Sequence, residues 1–158
     1  MTKLALPEKI VSGGQTGVDQ AALTVAISLA IPHGGWCPLG RRCETGVIPS
    51  HFQLGEMPTP SYAARTRQNV LDADATLILY RDQLSGGSLL TREIAKQLRK
   101  PVFLLNLEST FDANEVFEWF RDCNVATLNV AGPRESSSPG INAQALEVLS
   151  KLFATTEP

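Results

Sequence analysis

Along the chain, short apolar runs alternate with stretches whose apolar positions recur every three or four residues. Lys9 to Gly13 reads as a first strand, and Gly17 to Ala30 as a helix stopped by Pro32. That helix is apolar around most of its circumference (Ala21, Ala22, Leu23, Val25, Ala26, Leu29), which predicts that its neighbours cover it well. His33 to Trp36 reads as a short second strand. Cys37 to Pro60 is broken by prolines and glycines and keeps no period, so it is expected to be a long loop, either functional or poorly ordered. Ser61 to Leu71 returns to helical spacing and leads into ATLILY, Ala75 to Tyr80, a strand apolar enough to be buried.

The second half repeats the alternation. Gly86-Gly87-Ser88 opens a helix to Lys100, Pro101 ends it, and VFLLNL, Val102 to Leu107, is the next strand. Ala113 to Asp122 is a short helix with Phe117, Trp119 and Phe120 turned inward. Ala126 to Val130 is the last strand. Pro139 to Phe153 is the last helix, with Ser138 as its N-cap and Pro139 at its first position. There is no internal repeat. Strands alternating with helices predict an α/β, Rossmann-like fold with a mostly parallel central sheet flanked by helices. The length of 158 residues suits one ligand-binding domain spanning 1–158, with the long loop at about 37–60.

Composition narrows the function classes. Hydrophobic residues make up 43% and charged residues 19%, the balance of a folded rather than a disordered chain. A formal net charge of -2 lacks the basic excess that nucleic-acid binding needs. No apolar run approaches the ~18 residues of a membrane span, and MTKLALPEK has no apolar core of a signal peptide. Three cysteines at irregular spacing give no disulfide framework, so a cytoplasmic location is the expectation.

Parallel strands place their outgoing loops on one edge, where ligands of such folds bind. Four segments leave that edge: SGGQTG, GWCPLGRR, LSGGS and AGPRESS. Glycines let a backbone approach a ligand closely, and the helix that follows adds unpaired N–H groups and a positive dipole end. Gly13, Gly14, Gln15, Thr16 and Gly17 are thus candidates to hold an anionic group, with Gly86, Gly87, Ser88 and Arg134 completing the rim. Arg41 and Arg42 would neutralise the anion, and Trp36 would stack on a ring or else belong to the core. Thr16-x-x-Asp19 has the spacing of a capping box, and Asp19 would repel a second anion unless it met a hydroxyl or a cation. SGGQTG matches neither GxGxxG nor the P-loop, so Walker-type phosphate transfer is not expected.

Two histidines, His33 and His51, stand in no catalytic motif, and their spacing with Cys37 and Cys43 matches no zinc site. No metal is expected. The carboxylates Asp19, Glu93 and Glu135 all start from the loop edge and could activate water at an N-glycosidic bond; Glu93 reads equally as a helix surface charge. Arg65, Arg67 and Asn69 could close over a ligand or solvate their helix face.

Taken together, GGQTGVDQAAL, GGWCPLGRRCETGVIP, YAARTRQNV, DADATLIL, GGSLLTREIA and NVAGPRES-x-x-PGI resemble the molybdenum cofactor carrier family of the SLOG superfamily, over Ile10 to about Leu149. The resemblance implies a Rossmann-like fold, a homo-oligomer (dimer or tetramer), and a small phosphorylated ligand that is nucleotide-like or of molybdopterin type, the molybdenum cofactor being cargo. The same superfamily holds lysine-decarboxylase-like phosphoribohydrolases, which act on nucleoside 5'-monophosphates and carry the signature PGGxGTxxE. Gly86, Gly87 and Glu93 fit that signature; Ser85 in place of its proline and Leu89-Leu90 in place of its Gly-Thr do not. A carrier role therefore stands first and a hydrolase second, and the sequence leaves open whether the chain is an enzyme.

Overall fold

The computed structural model describes residues 6–154. The signal-peptide expectation falls partly on Met1–Ala5, outside the described residues. In chain order the first half holds β1 (Lys9–Val11), α1 (Val18–Ser28), β2 (His33–Gly34), β3 (Trp36–Cys37), β4 (Arg42–Cys43), β5 (Gly46–Val47), β6 (Gly55–Glu56) and α2 (Tyr62–Asp72). The second half holds β7 (Ala75–Tyr80), α3 (Gly86–Gln97), β8 (Val102–Asn106), α4 (Ala113–Asp122), β9 (Thr127–Ala131) and α5 (Ile141–Phe153).

The architecture is α/β and Rossmann-like. Five strands form a wholly parallel sheet in the order β2-β1-β9-β7-β8. One face is covered through a core in which Ile10, Leu77, Leu79, Leu128 and Val130 meet Val25 of α1, Phe120 of α4 and Leu149 of α5. On the other face Val70 of α2 packs with Ile94 and Ala95 of α3. Each Leu or Ile sealed in this way contributes about 1.5–3 kcal/mol, which fixes the register of a strand as short as ATLILY.

The strand order carries further information. The common Rossmann order is 3-2-1-4-5. If β9 is counted first, followed by β1, β2, β7 and β8, this sheet reads the same way. The strand that opens the common fold therefore comes last here. The crevice where strand order reverses lies between β9 and β7, beyond their carboxyl ends.

Several local expectations need correction. The segment read as one strand over His33 to Trp36 is two, β2 in the main sheet and β3 outside it, divided at Gly35. Gly35 sits at φ 119, and a Cβ there would collide with the Ser12 carbonyl, so the chain kinks at close backbone contact. Residues 37–60 form neither a disordered stretch nor a plain loop. β3 pairs with β6, β4 with β5, and Cys37, Cys43, Ile48 and Phe52 close on Leu23 of α1 as a small second core. Two-residue strands have no period to read, so the sequence hides them.

The last helix starts at Ile141, and Ser138 does not cap it. Arg81 Nη1 donates to Ser138 Oγ (3.0 Å) and to the Pro139 carbonyl (2.8 Å), holding that turn against the sheet. Gly140 occupies the cap position, and the Glu135 carboxylate does the capping, accepting from Gly140 N (2.7 Å) and Asn142 N (2.9 Å).

Candidate functional site

At the crevice between β9 and β7 lies a cavity of about 150 Å³. Three of the four Gly-rich loops reach it. Gly13 and Gln15 come from the loop after β1, Gly86 to Ser88 from the first turn of α3, and Gly132 to Arg134 from the loop after β9. α2 supplies a wall with Tyr62, Arg65 and Asn69. A cavity of this size elsewhere holds a benzene-sized molecule, so this one takes a single ring or one phosphoryl-sized group, and the mouth takes the rest of a larger ligand.

The first turn of α3 is the part of the wall with unspent hydrogen-bonding capacity. Ser85 stands at its N-cap without a side-chain cap bond, so the leading N–H groups of the helix lack that partner. A Cβ added at Gly86 or Gly87 would meet nothing within 4 Å. Ser88 is 3% exposed, yet its Oγ has no hydrogen-bond partner among the described residues. A buried hydroxyl left this way costs about 1–3 kcal/mol. Glu93, further along α3, is exposed and does not line the cavity.

Opposite lies a buried ion pair. Arg65 Nη1 stands 3.4 Å from Asp19 Oδ2, each side chain only 10% exposed. Arg65 also donates from Nε to the Tyr62 carbonyl (3.3 Å) and rests over the Tyr62 ring at 5.4 Å. The guanidinium runs across Gly13, where a Cβ would collide with it. Asp19 further accepts from the Gln15 amide at 3.2 Å. Burial pushes the Asp19 carboxyl up from 3.8 to about 6, against the opposing pull of Arg65 and the Gln15 and Gly13 amides. The expected Thr16–Asp19 capping box does not form: α1 has Gly17 at its cap position, and Asp19 reaches back to Gln15 instead.

Several other residues singled out from the sequence bond to the scaffold. Gly14 and Gly17 do not line the cavity; Gly14 admits the side chains of Ile48 and Leu54, and Gly17 admits the Pro133 carbonyl. The Thr16 hydroxyl bonds the Glu44 carboxylate and accepts from Glu135 N at 3.2 Å. Trp36 also lies outside the cavity: its indole sits on Gly55 and donates to Asp72 Oδ2 at 2.8 Å. Arg41 spends Nη2 on the carbonyls of Pro49 (2.9 Å) and Phe52 (2.8 Å), stapling the 37–60 segment, while Arg42 points outward from β4. Glu135 is committed to capping α5. Arg134 is exposed at the rim.

Sequence reading missed Glu44. Its carboxylate binds the hydroxyls of Thr16 and Ser136 and accepts from Ser136 N at 3.2 Å, tying the loop after β1 to the loop after β9. The Ser136 hydroxyl, then that of Thr16, hold its carboxyl below the usual range. A solitary Glu in a Gly-broken stretch carries no signal for such a role. Asn69, besides lining the cavity, has a part the sequence did not suggest: it accepts from Trp36 N (2.7 Å) and donates to Trp36 O (2.9 Å), pairing β3 as a strand would.

Among the described residues no helix is long and apolar enough to cross a membrane, and no cluster of three or more His, Cys, Asp or Glu side chains could hold a metal ion. Compared with known proteins, residues 10–153 match the model of the circularly permutated YpsA SLOG family. A crystal structure of a protein from Syntrophus aciditrophicus SB, named as a candidate molybdenum carrier, is 43% identical with a TM-score of 0.92, covering 98% of this chain and 98% of that one. No curated protein matches the chain.

Proposed function

The chain belongs to the circularly permutated YpsA SLOG family, and from that membership and the chemistry of the cavity we propose that it binds and carries a small phosphorylated, ring-bearing molecule. The observation that carries this reading is Ser88: a hydroxyl sealed in the first turn of α3 without a protein partner, beside two glycines that leave open space. An anion seated there would receive the Ser88 hydroxyl and the leading N–H groups of α3, at the positive end of that helix. Arg65 and Arg134 face the same cavity from two other elements. Tyr62, which lines the cavity with the Arg65 guanidinium over its ring, takes over the ring-stacking part expected of Trp36.

A molybdopterin-type cargo fits that chemistry at its phosphate and its ring. Cys37 and Cys43 are buried in the small second core, and neither lines the cavity, so a metal-bearing cargo would be held by its organic part. Nucleotide hydrolysis has less support. Of its three candidate carboxylates, Glu93 is outside the cavity, Glu135 caps a helix, and Asp19 is paired with Arg65.

Gly87→Val separates binding from folding. The new side chain points into open space and replaces glycine inside a helix, so the unliganded protein should melt within a few degrees of the parent. Native mass spectrometry of the parent should reveal a copurifying phosphorylated molecule, and a ligand at about 100 times its dissociation constant should add about 2.7 kcal/mol of stability. In Gly87→Val both should vanish. Retention of ligand by a folded Gly87→Val protein would remove the α3 terminus from the site.

A further inference from the structure

Arg65 and Asp19 form a pair whose two members have unequal claims on each other. The pair is long for a charge-assisted contact, 3.4 Å, and single-stranded: one nitrogen to one oxygen. The guanidinium has five N–H donors, and the protein takes up one at Asp19 and one at the Tyr62 carbonyl. The Nη2 end has no protein acceptor among the described residues, and Arg65 forms part of the cavity wall. The carboxylate, in contrast, has a second partner in the Gln15 amide and would stay fixed if Arg65 turned.

Resting on the anion-binding reading above, we propose that Asp19 occupies Arg65 in place of the ligand's anion, and that ligand binding transfers Arg65 to the incoming anion while Asp19 takes up a proton from solvent. The chemical class that suits such a site is an anion bound together with a proton, so the complex gains no net charge from a singly charged ligand group. No covalent bond changes; the proton ends on an Asp19 carboxyl oxygen.

The surroundings of Asp19 favour this exchange. Arg65 on α2 is the one charged side chain acting on it among the described residues; the loop after β1 presents the uncharged amides of Gln15 and Gly13. Arg134 from the loop after β9 and the phenol of Tyr62 on α2 line the same cavity. The buried carboxyl already stands near 6 with Arg65 beside it. Withdrawing that cation removes the largest influence favouring the charged form and raises the carboxyl further. Proton uptake and anion binding are then linked, each strengthening the other by the same factor.

Inorganic sulfate is the probe, because it does not titrate between pH 5 and 9 and so reports the protein's proton alone. Calorimetry of sulfate binding at pH 7 in two buffers of unlike ionisation heat should show uptake of between about half and one proton. The affinity should be level below pH 6 and fall by up to about tenfold per pH unit above it. In Asp19→Asn, sulfate should bind with neither proton uptake nor this slope, and more tightly than to the parent at pH 8. Sulfate binding to the parent with no proton uptake and a flat pH profile would overturn the exchange while leaving the anion site standing. If neither sulfate nor inorganic phosphate binds at pH 5.5, the anion site itself fails, and the exchange with it.

Discussion

At the scale of single residues, the cavity is defined as much by how groups are occupied as by which groups are present. Asp19 illustrates the point. Its folded carboxyl titrates near 6 rather than 3.8, so the unfolded chain releases this proton first as pH rises. The sign follows from that order: the stability tied to Asp19 is complete below 3.8, declines as pH climbs toward about 6, and is level beyond. The shift corresponds to about 3 kcal/mol. Urea denaturation at pH 4 and at pH 7 should show the parent losing stability relative to Asp19→Asn as pH rises, whatever offset the loss of a charge beside Arg65 imposes at both values; other groups such as Glu44 contribute equally to both proteins. Sequence could name Asp19 as a candidate because it follows a Gly-rich turn. It could not pair it with Arg65, because the two meet only when α2 crosses the turn after β1. The partners of Trp36 at Asp72 and of Arg41 at Pro49 and Phe52 were hidden for the same reason: they are set by a fold in which two-residue strands leave no periodic trace.

At the scale of elements, helix interiors were legible and helix ends only in part: α4 runs over Ala113–Asp122 as expected, but the ends of other helices were not placed. Apolar spacing placed the five helices of the described residues, but just beyond the C-caps of α1, α3 and α4 stand Ala30, Arg99 and Asn124, each with positive φ (55, 56 and 50°). The following amides of Ile31, Lys100 and Val125 bond back to Ala26 (2.8 Å), Ala95 (2.9 Å) and Phe120 (3.0 Å), closing three Schellman turns. The expected ends at Ala30 and Lys100 overshot because none of these turns has the glycine that signals such a stop. A left-handed Ala costs roughly 1 kcal/mol relative to Gly at such a position. Ala30 is exposed, so Ala30→Gly should raise stability by about 1 kcal/mol, read as a shift of several degrees in melting temperature. Failure to stabilise would mean that the unfolded chain's added freedom outweighs the relieved strain. At the other end of α5 the cap was misassigned to Ser138, since the donor that claims that hydroxyl, Arg81, is 57 positions away.

At the scale of the whole molecule, the alternation of runs was sufficient to predict a parallel sheet, but not its order, because order depends on which strands meet across the chain. β1 lies between β2 and β9, its nearest and most distant strands in sequence. If the fold is the common one entered at a different strand, a chain relinked from the end of α5 to the start of β1, and opened in the turn between α4 and β9, should fold to the same structure. Circular dichroism and sulfate titration would check this; a relinked chain that folds but binds sulfate differently from the parent would show that the junction, not the sheet, shapes the cavity. The strand order also matters during synthesis. Until Thr127–Ala131 leaves the ribosome, β2-β1 and β7-β8 lack the strand that joins them, so any half-sheet either pair forms would show a bare inner edge to another nascent chain. A transcript truncated just before Thr127 should therefore yield chaperone-bound or aggregated product, because the strand that would join the two halves is the last one translated.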